Sequence, residues 1–136
     1  MASEVLVDSN VYISLLKTGR DAVATLYQWA EMEDRNLAIC GMVRLEVLRG
    51  VRIPRFYQAI SVLMDVMINV PTDNRLWIEA TDLAWMLDRK GVVIPGSDAV
   101  IASCALRLGA TVMTSDAHFS RIEGLRVIAP PAEWFA

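Results

Sequence analysis

The stretch Val5-Leu6-Val7-Asp8-Ser9-Asn10 decides the fold. Its three apolar residues are typical of a short buried strand, and the polar residues after them begin a helix that we predict over 9–16. Strands and helices then alternate along the chain, which predicts a parallel sheet covered by helices on both faces. The further strands are predicted at 37–40, 66–70, 111–113 and 126–128, and the further helices at 20–34, 42–49, 55–64, 74–90, 98–108 and 117–122.

The composition fits one folded domain, and we expect residues 1–136 to form it. Hydrophobic residues make up 54% of the chain, enough for a sizeable core. Cys40 and Cys104 lie in apolar stretches and predict buried free thiols, which suits a reducing cytoplasm. We find neither a signal peptide nor an apolar run long enough to cross a bilayer. A cytoplasmic protein that does not contact membranes is therefore expected.

Three carboxylates are predicted to meet at the edge of the sheet where strands end. Asp8 follows the first strand, Asp116 follows a later strand, and Asp98 opens a helix of which Ser97 is the predicted N-cap. Taken singly, Asp98 and Asp116 can also be helix-capping or first-turn acids, and Asp8 can form an Asx-turn. Their meeting on one edge of the sheet favours a site.

Glu46 is the fourth candidate, because it lies in mid-helix among apolar residues, where an unpaired acid is costly. The alternative is a solvated helix face on which Arg49, three residues later, pairs with it. The net charge is −3, and setting aside the four candidate acids leaves +1. Eleven of the thirteen basic residues are Arg, whose planar fork suits phosphate, although Arg also serves as a solubilising surface residue.

Four carboxylates in one cleft repel one another. Two charges ~4 Å apart cost about 4 kcal/mol at an effective dielectric near 20. A hard divalent cation removes that cost, and Mg²⁺, with Mn²⁺ as an alternative, prefers such oxygen ligands. A cation held in this way activates water and stabilises charge on a phosphodiester. The residues by themselves therefore indicate a phosphoryl-transfer site.

Four motifs carry a resemblance to a known family: Val-Asp-Ser-Asn-Val (7–11), Val-Arg-Leu-Glu-Val-Leu-Arg-Gly (43–50), Ser-Asp-Ala-Val-Ile-Ala-Ser-Cys-Ala (97–105) and Thr-Ser-Asp-Ala-His-Phe (114–119). Together, in this order and spacing, they resemble the PIN-domain nucleases, and most of all the VapC-type toxins of toxin–antitoxin pairs. The resemblance implies a three-layer α/β/α sandwich and an endoribonuclease that depends on Mg²⁺ or Mn²⁺. It also implies a homodimer inhibited by a small cognate antitoxin.

The resemblance also assigns roles to residues. Asp8, Glu46, Asp98 and Asp116 match the family's acidic positions, and the first, third and fourth of these are the implied metal ligands. Ser9, Asn10 and Thr114 match its polar supporting positions. Many relatives carry a further Asp shortly after the last acid, where this chain has Ala117 and His118, so the number of ions stays open. His118, the only histidine, is interpreted as a helix residue with a local hydrogen bond rather than as a ligand or base.

Two other functions agree with part of this pattern. A phospho-accepting receiver module also gathers acids around Mg²⁺, but it needs a Lys after a late strand, and neither Lys17 nor Lys90 follows one. A catalytically silent PIN module that acts as a scaffold is disfavoured because all four acids are present. The sequence contains no Gly-x-Ser-x-Gly elbow, dinucleotide-binding motif or P-loop. No code for a particular RNA is legible, so transfer, messenger, ribosomal and other structured RNA all remain open.

The bulky apolar residues predict surfaces for partners. Leu15, Leu16, Phe56, Tyr57, Trp77 and Trp85 are more than one small core should cover. We therefore expect a two-fold symmetric homodimer and a second apolar groove between the helices at 9–16 and 55–64. The resemblance implies that an antitoxin helix fills this groove. Trp134 and Phe135 are expected to pack across a subunit boundary.

Overall fold

The computed structural model describes residues 3–135. Five strands and six α-helices follow one another in the order β1 Ser3–Val7, α1 Ser9–Lys17, α2 Ala22–Met32, β2 Arg35–Cys40, α3 Gly41–Leu48, α4 Pro54–Val66, β3 Ile68–Val70, α5 Asn74–Arg89, α6 Gly96–Leu108, β4 Thr111–Met113 and β5 Val127–Ile128. Short 3-10 helices lie at Ala117–Arg121 and Ala132–Phe135. The alternation of strands and helices predicted from the sequence is confirmed.

The strands form one parallel sheet in the order β3-β2-β1-β4-β5. β1 is the central strand, and Val5, Leu6 and Val7 are fully buried. Successive side chains of a strand point to opposite faces, so both faces of the sheet are covered. The α/β sandwich expected from the motifs is therefore the observed fold.

β3 is shorter than predicted, because α4 continues to Val66 and the strand begins only at Ile68. The run 66–70 is apolar enough for either structure, so its periodicity does not decide between them. The partners of β3 do decide, since only Ala38 to Cys40 of β2 pair with it. Three residues complete the pairing of this edge strand with β2. Val66 therefore stays in α4, and Met67 is the C-cap of that helix.

α6 is the most buried helix, with every residue from Ala99 to Ala105 inside the core. It ends at Gly109, which takes the left-handed conformation that glycine adopts without strain. Its start differs from the prediction. The N-cap is Pro95, and no side chain caps the helix, so Ser97 lies inside its first turn. The fixed φ of Pro95 and the small Gly96 let the helix begin earlier, which keeps Asp98 in the first turn.

Leu15 is one of the bulky residues that the core does cover, since it is fully buried. One expectation about bulky residues is wrong. Trp134 is buried within the chain rather than left for a second subunit, and its ring meets Trp29 edge-on at 6.5 Å between centroids. Phe56, Tyr57, Trp77 and Trp85 are exposed, as expected. Among residues 3–135, no helix is long and apolar enough to cross a membrane.

Candidate metal centre

The candidate acids meet beyond the carboxyl ends of β1 and β4, two neighbouring strands in the middle of the sheet. Asp8 follows β1 and is the N-cap of α1, while Asp116 follows β4 and is the N-cap of a 3-10 helix. Asp98 lies in the first turn of α6, and Glu46 lies on α3. The fold thus brings residues from four distant segments to one edge of the sheet, where parallel sheets bind ligands.

Asp8 and Glu46 are joined by hydroxyl groups. Asp8 is 4% exposed; its Oδ1 accepts from the Ser9 amide at 2.8 Å, and its Oδ2 accepts from Thr114 Oγ1 at 2.8 Å. Ser9 Oγ lies 3.0 Å from Glu46 Oε1 and 3.4 Å from Asp8 Oδ1. It has one proton to donate, and the shorter distance favours Glu46. In the described residues Glu46 forms no ion pair with Arg49, and its side chain is half-buried with one oxygen bound to Ser9.

Thr114 is the centre of this arrangement. Its hydroxyl donates to Asp8 and accepts two hydrogen bonds, one from Asn10 Nδ2 at 3.2 Å and one from the Asp116 amide at 2.9 Å. The Ser115 amide donates to Asn10 Oδ1 at 3.5 Å. All three supporting residues predicted from the sequence thus contact the acids or one another. We call Asp8, Ser9, Asn10, Glu46 and Thr114 the hydroxyl-bridged half.

Asp98, Asp116 and His118 form the other half of the site, which we call the imidazole half. His118 Nδ1 lies 3.1 Å from Asp98 Oδ2 and 3.0 Å from Asp116 Oδ1. The His118 amide also donates to Asp116 Oδ1 at 2.9 Å. The local hydrogen bond expected for His118 is therefore present, but the ring also lies among the acids, which was not predicted from the sequence. The sequence feature that could have indicated this position is the spacing of two residues between Asp116 and His118.

Burial makes ionisation of these acids costly. The pKa of Asp8 is raised from 3.8 to about 6, mainly by burial, with smaller increases from the charges of Asp98 and Glu46 that its hydrogen bonds with Thr114 and Ser9 oppose. Burial also raises the pKa of Asp98, and Asp116 adds to that increase while His118 opposes it. A cation placed among these carboxylates would remove the repulsion between them.

The donor atoms fit a small divalent cation. One carboxylate oxygen each of Asp98 and Asp116 and one ring nitrogen of His118 lie within 4.8 Å of one another. Asp8 is outside this group but near enough for the charge of Asp98 to raise its pKa. The carboxylate oxygens suit Mg²⁺ or Mn²⁺, and the ring nitrogen is a donor that transition metal ions prefer.

The chain belongs to the PIN domain family, whose model matches residues 5–125. This match confirms the family resemblance carried by the four motifs. A search of curated protein sequences finds no match. The sheet order also excludes the receiver alternative, because receivers of the flavodoxin-like type have the order 2-1-3-4-5.

Several solved structures have the same fold as this chain. One is VapBC2 from Rickettsia felis bound to a DNA fragment from its promoter, with a TM-score of 0.75, 20% identity, and coverage of 93% of this chain and 98% of that one. DNA-bound VapBC from Salmonella typhimurium has a TM-score of 0.74 at 22% identity, covering 95% and 98%. VapBC-1 from nontypeable Haemophilus influenzae has a TM-score of 0.73 at 21% identity, covering 98% and 99%.

Proposed function

We propose that this protein is a metal-dependent endoribonuclease and the toxin of a toxin–antitoxin pair. The observation that supports this most is the meeting of Asp98, Asp116 and His118 beside the buried Asp8. Such a group of acids is costly in a fold unless a cation binds there. The family and the fold neighbours, which are toxin–antitoxin complexes, point in the same direction.

In this mechanism Asp8, Asp98 and Asp116 hold the cation. When bound, it supplies Lewis-acid stabilisation of the phosphate and lowers the pKa of water. Thr114 keeps Asp8 oriented through its hydroxyl and sets the position of Asp116 through the amide of that residue. Glu46, with one oxygen bound to Ser9 Oγ, has its second oxygen available to accept a proton from attacking water.

The charge near Glu46 supports RNA as the substrate. Residues 44–57 contain four Arg and one Glu, a net charge of +3 in a chain whose total is −3. Arg49, Arg52 and Arg55 are exposed, and none of them forms an ion pair in the described part of the chain. We infer that this basic segment binds the phosphate backbone next to the acids.

A groove between α3 and α4 is the proposed binding site for the antitoxin. It has a volume of about 340 Å³ and is lined by Leu45, Leu48 and Tyr57 with two arginines, Arg44 and Arg49, at its sides. The groove was expected between the helices at 9–16 and 55–64, but the buried Leu15 leaves α1 little apolar surface. An amphipathic helix fits such a groove, and a basic side chain extending from it would neutralise the acids.

α5 is the proposed surface for a homodimer. Trp77 and Trp85 are 46% and 58% exposed, and Ile78 and Met86 beside them are also exposed. Ile78 and Trp85 are seven residues apart and share one stripe of the helix, and Trp77 and Met86 lie to either side of it. Light scattering at micromolar concentration should give a dimer, and Trp85→Glu should give a monomer.

The test of the nuclease is cleavage of a mixed RNA substrate with Mg²⁺ or Mn²⁺. Wild type should cut, EDTA should stop cleavage, and Asp98→Asn purified in parallel should be inactive, which excludes a contaminating nuclease. Cleavage that persists in EDTA would contradict the mechanism. A wild-type chain that binds metal and RNA without cutting would instead indicate a silent binding module. Mapping the cleaved RNA ends after expression would identify the target class.

A further inference from the structure

We propose that His118 is a ligand of the bound ion and that its nitrogen makes this site select Mn²⁺ and other transition ions over Mg²⁺. The inference rests on the proposed metal site and adds a ligand to it. The motif resemblance assigned only carboxylates to the ion, and His118 was expected to have a local structural role.

The distances fit ligands that share one ion. Neighbouring ligands on an octahedral ion with bonds of about 2.1 Å are separated by about 3.0 Å. His118 Nδ1 lies 3.1 Å from Asp98 Oδ2 and 3.0 Å from Asp116 Oδ1. His118 Nδ1 thus already has the spacing from each of the two carboxylate oxygens that neighbouring ligands of one ion require, and all three donor atoms lie within 4.8 Å of one another.

The ring is held in place by its own turn. The His118 amide is bonded to Asp116 Oδ1, and Ser120 Oγ donates to the Ala117 carbonyl at 2.7 Å. Phe119, the next residue, is fully buried and anchors the 3-10 helix in the core. The His118 side chain is 42% exposed, so its Nε2 edge can stay hydrated while Nδ1 faces the acids. Little conformational entropy is then lost when Nδ1 binds an ion.

The nitrogen changes which ions are preferred. Carboxylate and water ligands suit Mg²⁺ and also Mn²⁺, whereas imidazole suits later transition metals, and affinity generally rises from Mn²⁺ to Cu²⁺ and is lower again at Zn²⁺. A site of carboxylates alone would discriminate weakly between Mg²⁺ and Mn²⁺. Replacing one oxygen by the nitrogen of His118 favours Mn²⁺, Co²⁺ and Zn²⁺ over Mg²⁺.

The chain offers a sharp test because His118 is its only histidine. Protein labelled with ¹⁵N-histidine gives one pair of ring nitrogen signals, and Zn²⁺ serves as a diamagnetic probe. We expect the Nδ1 signal to move strongly at one equivalent of Zn²⁺ while the Nε2 signal moves little. An unchanged Nδ1 signal, at a Zn²⁺ concentration that protects the fold against heat, would overturn the proposal.

Calorimetric titration of the metal-free chain gives a second readout. His118→Asn should weaken Mn²⁺ binding about tenfold or more and Mg²⁺ binding much less. His118→Asp restores an oxygen donor and should bring the two affinities close together. Arg121→Gln, at an exposed position on the same 3-10 helix, is the matched control and should keep the wild-type preference. Equal loss of Mg²⁺ and Mn²⁺ affinity in His118→Asn would contradict the role of the nitrogen.

These outcomes separate the proposal from the proposed function. If Zn²⁺ moves the Nδ1 signal but RNA is not cut, the ligand assignment stands and the nuclease fails. If RNA is cut with Mg²⁺ and His118 variants keep the wild-type ion preference, the nuclease stands and the ligand assignment fails. A chain that binds no divalent ion overturns both.

Discussion

The two halves of the site hold their carboxylates by different means. In the hydroxyl-bridged half, neutral hydroxyls of Ser9 and Thr114 contact Asp8 and Glu46. In the imidazole half, the ring of His118 lies between Asp98 and Asp116, and no hydroxyl in the described residues joins those two acids. Hydroxyls orient carboxylates without removing their charge, whereas a cation does both.

This difference assigns each half a separate task. The hydroxyl-bridged half is assembled by the fold alone, because its donors are neutral and come from the main elements α1 and α3 and the end of β4. In the imidazole half, Asp98 and Asp116 are joined only through the ring of His118 in the described residues, and a bound cation would take part in holding them. We therefore expect changes in the imidazole half to alter metal binding first, and changes in the hydroxyl-bridged half to alter stability and geometry first.

The largest effect should come from Asp98→Asn, which removes one proposed ligand from the imidazole half. Metal at 100 times its Kd should stabilise the wild type by about 2.7 kcal/mol. We expect Asp98→Asn to lose most of this stabilisation and its RNA cleavage, while its metal-free melting temperature stays the same or rises. Thermal melting with and without Mn²⁺ measures this. A large drop in the metal-free melting temperature would instead give Asp98 a structural role.

Asp8→Asn tests the charge in the hydroxyl-bridged half through pH. The rise of the Asp8 pKa from 3.8 to about 6 corresponds to a contribution of about 3 kcal/mol at most to the free energy of unfolding. Because the folded state holds this proton more tightly, its contribution to stability is complete below pH 3.8 and is lost as pH rises through about 6. An Asn at position 8 does not ionise. In EDTA, its melting temperature relative to wild type should therefore rise between pH 4 and pH 7 and then level off.

The outcome that contradicts this prediction is a constant difference between the two melting curves over that pH range. An offset that does not depend on pH is expected as well, because an Asn amide would face the Thr114 oxygen, which already accepts two hydrogen bonds. Only the change with pH in the difference between the two melting temperatures tests the buried charge.

Thr114→Val tests whether hydroxyls hold the hydroxyl-bridged half together. The substitution keeps the shape but leaves Asp8, Asn10 and the Asp116 amide without their shared partner. We expect a loss of roughly 1–3 kcal/mol, the usual cost of an unsatisfied buried polar group. Urea denaturation in EDTA measures it, and Thr114→Ser, which restores the hydroxyl, is the control. If Val and Ser variants are equally stable, the hydroxyl has no such role.

The smallest effect concerns RNA binding beside the hydroxyl-bridged half. Removing one Arg that binds a phosphate should reduce the slope of log affinity against log salt by roughly 0.7 for single strands. We expect Arg49→Gln, Arg52→Gln and Arg55→Gln each to reduce it, measured by fluorescence anisotropy in EDTA. Arg75→Gln, on α5 and paired with Glu79, is the matched control. Equal slopes for all four variants would contradict the basic segment as an RNA site.

The fold was predictable from the sequence because apolar runs and glycines mark its elements. The strand that contains Val5 to Val7 and the apolar helix before Gly109 lie within two residues of their predicted bounds. The end of α4 was missed because the apolar run 66–70 suits a helix or a strand, and pairing with β2 decides between them. Trp134 was assigned to a surface because side-chain burial depends on neighbours that the sequence does not reveal.

The site was predicted in part. The three supporting residues contact the acids or one another, since each is near an acid in the sequence or follows a strand that ends beside one, and their supporting role remains a prediction. The position of His118 was not predictable in the same way. It depends on the angle between α6 and the 3-10 helix, which sets the distance from Asp98 to a residue 20 positions away. The roles of the four acids as ligands remain predictions.

The bond between Thr114 and Asp8 joins residues 106 positions apart. Closing so long a loop costs about 4 kcal/mol of chain entropy, which is repaid only when β4 pairs with β1. A ribosome that has released the chain as far as α6 has already exposed Asp8, Glu46 and Asp98, but not the segment that aligns them. The carboxylates can therefore be brought together only after β4 has emerged and paired with β1.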